Sequence, residues 1–326
     1  NTGQPLNGAH LQLIHKKTNK IIFDWISDGE PVTFKGLHVN ETYILREVSA
    51  PDGYFVSDPI EFVVDETSDL QTLRMQNELI PEIKTQAFDE DGDKVNLANG
   101  KITVIDTVNY KGLVLGQEYT IKGKLLTTDT QEIVSETEFS FIAEKPDGTL
   151  EISFDFDGSL LYGKTLVVFE DLYRGERLVA THSELTDKKQ TVYIPKIKTS
   201  ASTLDYTSES KGIITINDVI HFEGLEPGKE YTAVGWLMLN ENTELVNEDN
   251  ERYESLKSFK PTQSSGTVEV SFEIPIDTLS KGDLVIFEEL YFKDKLIAEH
   301  KDINDADQTV SFVEIIIKKV DSDTKA

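Results

Sequence analysis

A polar constellation is written twice along this chain with the same internal spacing. The first copy carries Phe169-Glu170, His182, Asp187 and Gln190-Thr191, and the second carries Phe287-Glu288, His300, Asp305 and Gln308-Thr309. The differences 288−170, 300−182, 305−187 and 308−190 are all 118. Residues between the fixed points vary freely, so the carboxylates, the imidazole and the amide behave as one unit. Each copy is preceded by a matching opener, Ile80-Pro81-Glu82-Ile83-Lys84-Thr85 and Ile194-Pro195-Lys196-Ile197-Lys198-Thr199. Each unit therefore begins with a threonine and ends with a glutamine, and a period this long marks a duplicated domain rather than a solenoid.

The texture around these units is that of short strands broken by turn residues, with almost no helical periodicity. Residues 1–78 show it first, in Leu11-Gln12-Leu13-Ile14, Val32-Thr33-Phe34, Thr42-Tyr43-Ile44-Leu45 and Leu73-Arg74-Met75-Gln76-Asn77, with turns at Asp28-Gly29 and Pro51-Asp52-Gly53. Residues 79–194 and 195–312 repeat it with longer strands, and Gly112 to Gly123 aligns with Gly224 to Gly235. The expectation is an all-β chain of three tandem antiparallel sandwiches. The linkers at Pro81 and Pro195 are short enough to make a stiff rod of them.

Strand parity says where the special side chains point. Ile83, Thr85 and Ala87 share one face, as do Leu166, Val168, Glu170 and Leu172, and as do Gln190, Val192 and Ile194. The second copy agrees, with Glu288 among Leu284, Ile286 and Leu290, and Gln308 beside Val310 and Phe312. The threonine, the glutamine and a glutamate thus face an apolar interior, where an unpaired amide or carboxylate costs about 2–7 kcal/mol. They must satisfy one another.

Two readings of such a cluster stay open on the residues alone. One is a closed hydrogen-bond network that only holds the fold. The other is a nucleophile and an acyl donor held at contact. In that case the Thr85 hydroxyl attacks the Gln190 carboxamide, ammonia leaves, and a side-chain ester remains. His182 is the natural proton carrier, and Glu170 and Asp187, one or both kept protonated by mutual burial, stabilise the developing charge. Asp106 and Asp218 read as braces of a strand end or turn.

Composition narrows the class. The 326 residues hold 59 acidic and 32 basic side chains, a net charge of −27, which argues against nucleic acid or an anionic membrane as partner. There is no cysteine, so disulfides and cysteine-based metal or redox sites are excluded. No apolar run is long enough to span a membrane. A leader and a sorting tail are expected to lie outside this sequence, in a longer precursor or removed by processing. Asp89-Glu90-Asp91-Gly92-Asp93 resembles a calcium loop, but its glycine is misplaced for that, so it reads as a turn. No phosphate loop or hydrolase elbow occurs, and no cofactor or metal is expected.

The Thr, Phe-Glu, His-x(4)-Asp-x-x-Gln-Thr pattern resembles the Thr-Gln ester-bond domains, or VaFE repeats, of Gram-positive surface adhesins, over residues 79–312. Residues 1–78 resemble the CnaB-type domain of the same proteins through Phe34-Lys35-Gly36-Leu37, Glu47-Val48-Ser49-Ala50-Pro51-Asp52-Gly53-Tyr54 and Asn77. The resemblance implies Ig-like and CnaB-like sandwiches, and ester cross-links Thr85 to Gln190 and Thr199 to Gln308. It assigns Glu288, His300 and Asp305 the roles of Glu170, His182 and Asp187. It also implies an extracellular, cell-wall-anchored stalk or fibre that does not turn over an external substrate. The alternative is an adhesin module that binds a host glycan or matrix protein. Residues 1–78 lack the lysine-bearing opening strand of a CnaB-type domain, while residues 313–326 read as such a strand. Lys319 shares a face there with Ile315 and Ile317, opposite the inward set Leu73, Met75 and Asn77. The expectation is a Lys319–Asn77 isopeptide promoted by Glu47 and joining copies head to tail, or else residues 313–326 begin a further domain.

Overall fold

A computed structural model describes residues 3–67, 69–96, 100–203, 212–239, 243–276, 278 and 282–312. Every sheet is antiparallel, and the strands fall into three groups along the chain.

The first group comprises β1 (Asn7–His15), β2 (Lys20–Asp28), β3 (Thr42–Ser49) and β4 (Ile60–Val63), in the order β2-β1-β3-β4. Its inner face carries Leu11 opposite Trp25 and Glu47, and Leu13 opposite Phe23 and Leu45. Leu13, Tyr43 and Glu47 are buried, whereas Ile21 and Phe23 remain exposed. Two expected strands are absent. Residues 32–34 and 73–77 form no ladder, because among the described residues no neighbouring strand offers them a row of donors and acceptors. Residues 76–80 are held by single bonds instead, Phe55 N–H to Glu78 C=O, Ser57 Oγ to Gln76 C=O and Ile80 N–H to Gly53 C=O.

The second group has two facing sheets. One is β5 (Glu82–Asp89), β6 (Lys101–Lys111) and β9 (Gly148–Asp157). The other is β7 (Glu118–Thr127), β8 (Ile133–Ile142), β10 (Thr165–Arg174) and β11 (Arg177–His182) in the order β11-β10-β7-β8, with β12 (Thr191–Tyr193) added on β10. Inward positions of both sheets, among them Ile121, Leu125, Phe154 and Leu166, interleave as one core.

The third group repeats this plan. β13 (Lys196–Thr203), β14 (Ile213–Glu223) and β18 (Gly266–Pro275) form one sheet. The other holds β15 (Tyr231–Leu239), β16 (Thr243–Glu244), β17 (Glu254–Phe259), β19 (Leu284–Phe292), β20 (Lys295–His300) and β21 (Thr309–Val310). β6 and β14 show the same alternation of exposure residue for residue, as expected of two copies of one half-buried strand.

Successive groups touch. Arg174 pairs with Glu78 at 2.6 Å, and the Arg177 guanidinium lies 3.8 Å from the Phe55 ring centroid. Further on, Val95 and Tyr193 join the core of the third group, and Lys293 and Lys295 reach Asp93 and Asp91. The Asp89–Asp93 stretch is a tight turn in which Asp89 Oδ1 accepts the Asp91 and Asp93 N–H groups, and lysines of the third group neutralise its carboxylates. Among the described residues, no group of three or more His, Asp or Glu is arranged to hold a metal ion.

Candidate functional site

The two polar constellations assemble in the interiors of the second and third groups, each between its two facing sheets. In the second group, Thr85 comes from β5 on one sheet, while Glu170 on β10, His182 on β11 and Gln190 just before β12 come from the other. Glu170 and His182 are direct cross-strand partners, as are Glu288 and His300, so one register places acid and imidazole side by side in both copies.

Thr85 Oγ1 donates to Glu170 Oε2 at 3.0 Å and lies 2.7 Å from His182 Nδ1. Gln190 Nε2 donates to both Glu170 oxygens, at 3.1 and 3.0 Å. Hydroxyl and amide therefore meet on a single carboxyl group. On the outer side, His182 Nε2 lies 3.1 Å from Asp187 Oδ2. A proton on Nε2 serves that contact and leaves the Nδ1 lone pair facing the threonine hydroxyl.

The aspartate has a second task. Asp187 Oδ1 accepts the Lys189 N–H at 2.8 Å, and its main-chain carbonyl accepts the Gln190 N–H at 3.0 Å. The same carboxylate therefore orients the histidine and closes the turn that presents the glutamine. Asp305 does likewise, capping the short 3₁₀ turn Ala306–Gln308 through the Asp307 N–H.

In the third group, Thr199 Oγ1 lies 3.2 Å from Glu288 Oε2 and 3.2 Å from His300 Nδ1, and His300 Nε2 lies 3.2 Å from Asp305 Oδ2. Gln308 Nε2 donates to Glu288 Oε2 and to the Ile286 carbonyl, both at 2.6 Å. Thr85, Glu170, Gln190, Thr199, Glu288 and Gln308 are all buried, while both histidines keep one edge towards solvent.

Asp106 and Asp218 do not brace turns. Each is fully buried in the middle of a strand, on β6 and β14, and packs across the core against Glu170 or Glu288. Desolvation, and then the charge of Asp218, push the Glu288 carboxyl up to about 11, and desolvation raises Asp218 to about 6. Burial and the facing aspartate move Glu170 in the same direction. At neutral pH the glutamate is therefore the protonated member and the aspartate the charged one. Among the described residues neither oxygen of Asp218 meets any other donor, so the glutamate O–H is the group that satisfies it.

A glycine completes each site. Gly123 pairs with Glu170 across the ladder, and Gly235 pairs with Glu288. A Cβ on Gly123 would stand 2.6 Å from the Phe154 ring, and one on Gly235 would stand 3.0 Å from that of Phe272. The notch leaves room for the facing aromatic ring opposite the glutamate. The common shift from Gly123 to Gly235 and from Asp106 to Asp218 is the signal that could have found both.

Of the other expected residues, Glu47 and Asn77 come together. Asn77 Nδ2 donates to Glu47 Oε2 at 2.7 Å and to the Phe55 carbonyl at 3.0 Å, and among the described residues Glu47 Oε1 is buried with no hydrogen-bond partner. Lys319 lies outside the described residues.

A family model described as the T-Q ester bond containing domain matches residues 81–194 and 195–312, and one described as a prealbumin-like fold domain matches residues 1–79. Among solved structures, a bacterial adhesin from Mobiluncus mulieris containing intramolecular disulfide, isopeptide and ester bond cross-links aligns at 14% identity, over 64% of this chain and 80% of that one, with a TM-score of 0.33. The major pilin subunit of Bacillus cereus aligns at 12% identity, over 88% of this chain and 84% of that one, with a TM-score of 0.28. No curated protein matches the chain.

Proposed function

Since the chain belongs to the T-Q ester bond containing domain family, we propose that it is a structural segment of a bacterial surface stalk or fibre, locked by self-made esters between Thr85 and Gln190 and between Thr199 and Gln308. The observation that carries this reading is the meeting of hydroxyl and carboxamide on one buried carboxyl group in both copies.

Each step follows from the neighbours of the reacting atoms. His182 Nδ1 takes the Thr85 proton, and the freed oxygen attacks Cδ of Gln190. With Glu170 protonated, the amide turned over presents its oxygen to the acid O–H, which swings from Asp106 to the carbonyl, polarises it and holds the charge that develops there. His182 returns its proton to the departing nitrogen, the C–N bond breaks and ammonia leaves, so that an ester replaces an amide and a hydroxyl. Both reactants lie in one chain and are consumed once, so no turnover on external substrate is expected. Asp106 and Asp218 keep the proton on the glutamate.

Intact mass tests the reading. Two esters make the protein lighter by about 34 Da, one ammonia for each acyl transfer, and hydroxylamine should cleave both. Thr85→Ala or Thr199→Ala should each restore one loss. An unmodified mass after long incubation of the folded protein at neutral pH would overturn the assignment.

The Glu47–Asn77 pair favours an addition to this reading, in which it is the acceptor half of an isopeptide site. A lysine amine, with Lys319 as the candidate, attacks the Asn77 carboxamide and ammonia leaves, joining one copy to the next. Ladders on denaturing gels, lost in Lys319→Ala and Asn77→Ala but kept in Lys318→Ala, would support it. A single monomer band from concentrated protein would exclude spontaneous linkage.

A further inference from the structure

Lys94 lies in the seam where the two sheets of the second group meet and is absorbed by none of the roles above. Its ammonium donates to three main-chain carbonyls, Ala87 at 3.0 Å, Lys189 at 2.6 Å and Thr191 at 3.0 Å. These use all three of its N–H donors. No carboxylate lies within ion-pair distance of it among the described residues, although the ammonium stands over the Phe88 ring, 5.2 Å from its centroid. A half-buried cation held only by neutral acceptors is costly to place, and its partial burial accordingly lowers its pKa to about 8.

The identity of the acceptors suggests what that cost achieves. Lys189 and Thr191 flank Gln190, and Ala87 lies two residues beyond Thr85 on the same strand. β12 uses one edge to pair with β10. On its other side Ala87 N–H of β5 bonds Lys189 C=O at 3.0 Å, and Tyr193 exchanges bonds with the main chain of Lys94 and Asn96. Between the Ala87–Lys189 bond and the Tyr193 bridge, the ammonium supplies the further hydrogen bonds that tie the backbone around Gln190 to β5.

We infer that Lys94 is a positioning residue for ester formation in the second group, holding the backbone on both sides of Gln190 against the strand that carries Thr85. The inference rests on the ester reading proposed above. It concerns the approach of the reactants before the bond forms, since afterwards the ester itself ties the two strands. A misplacement of about 1 Å between reacting groups costs roughly 100-fold in rate, so loss of three directed hydrogen bonds at the seam falls first on the rate. The corresponding segment of the third group lies outside the described residues, and its site takes no contact from Lys94, so it serves as an internal reference in the same molecule.

The test is a time course of cell-free synthesis. Samples are quenched at intervals and digested, and the peptide pairs containing Thr85 with Gln190 and Thr199 with Gln308 are weighed separately. Parent, Lys94→Met and Lys94→Arg are compared well below the melting temperature of a Thr85→Ala/Lys94→Met variant, so that folding does not limit any of them. Lys94→Met should slow the Thr85–Gln190 ester about 10-fold or more and leave the Thr199–Gln308 ester at the parent rate. Lys94→Arg, which keeps several N–H donors, should recover most of the loss. A parent-like rate for Thr85–Gln190 in Lys94→Met, with the other ester forming normally, overturns the positioning role alone. Equal slowing of both esters also overturns it, because the effect is then not local. Absence of mass loss from either site in the parent overturns the ester reading, and this inference with it.

Discussion

The two cross-link sites contain the same residues in the same register, yet they are not equally tight. In the second group the threonine hydroxyl lies 2.7 Å from the histidine and 3.0 Å from the glutamate, whereas in the third group both distances are 3.2 Å. Gln190 directs its amide at both oxygens of Glu170, but Gln308 divides its donors among Glu288, the Ile286 carbonyl and, at 3.3 Å, the His300 carbonyl. The difference lies in how the last strand is fastened. β12 is stitched to β5 by Lys94 and held on the same side by the Val95–Tyr193 bridge, whereas the described part of β21 is two residues long and pairs with β19 alone. The motif thus supplies the reactants, and the seam sets how closely they are held.

The largest effect expected is loss of a cross-link. Thr85→Ala and Thr199→Ala each open a loop of about 100 residues, which by analogy with disulfides is worth roughly 4–5 kcal/mol. Thermal melting should therefore show a similar drop for either domain. A third domain that melts as before would mean that its looser site had never closed.

Next come the groups acting on the reaction. Glu170→Gln and Glu288→Gln replace the acidic O–H that polarises the amide with a weaker N–H donor and should slow their own ester by about 100- to 1,000-fold. His182→Ala and His300→Ala should cost about 100-fold or more, with folding intact. Peptide mass against time measures both.

A third expectation concerns pH in the unlinked double variant Thr85→Ala/Thr199→Ala. Glu288 and Asp218 ionise near 11 and near 6 in the folded chain, above their ordinary values of 4.5 and 3.8. The folded form therefore holds protons that the unfolded form has released. Stability from this pair is fully present below about pH 4, and declines as pH rises through 6 and on towards 11. Adding Glu288→Gln should flatten that decline for the third domain, as read by melting at a series of pH values. An unchanged slope would separate the carboxyl pair from the effect.

The comparison itself predicts an order of closure. A difference of half an ångström in the approach of threonine to histidine should make the Thr85–Gln190 ester form about 10-fold faster than Thr199–Gln308. Equal rates would mean that both sites tighten to one geometry before reacting. The smallest effect belongs to the exposed lysines bridging the domains. Lys295→Ala should leave both ester rates unchanged and alter melting least, by an amount that molar salt removes.

Much of this architecture could be read from the chain before folding was considered. A side chain on a strand has only two faces to choose from, so parity alone sent Thr85, Glu170 and Gln190 inward, and the fixed shift between copies marked them as one unit. The same rule failed for residues 73–77, since alternation describes a strand only where another strand is present to bond it. Asp106 and Asp218 were misjudged for a related reason. They lie on the opposite sheet from the glutamates they face, and their shift between copies differs from that of the main constellation because the intervening loops differ in length. Parity places each carboxyl inside, but which two meet depends on the stagger and separation of two sheets packed face to face. That stagger decided that Glu170 shares its proton with Asp106, that Gly123 leaves room for Phe154, and that the Lys94 ammonium spans the seam beside Gln190.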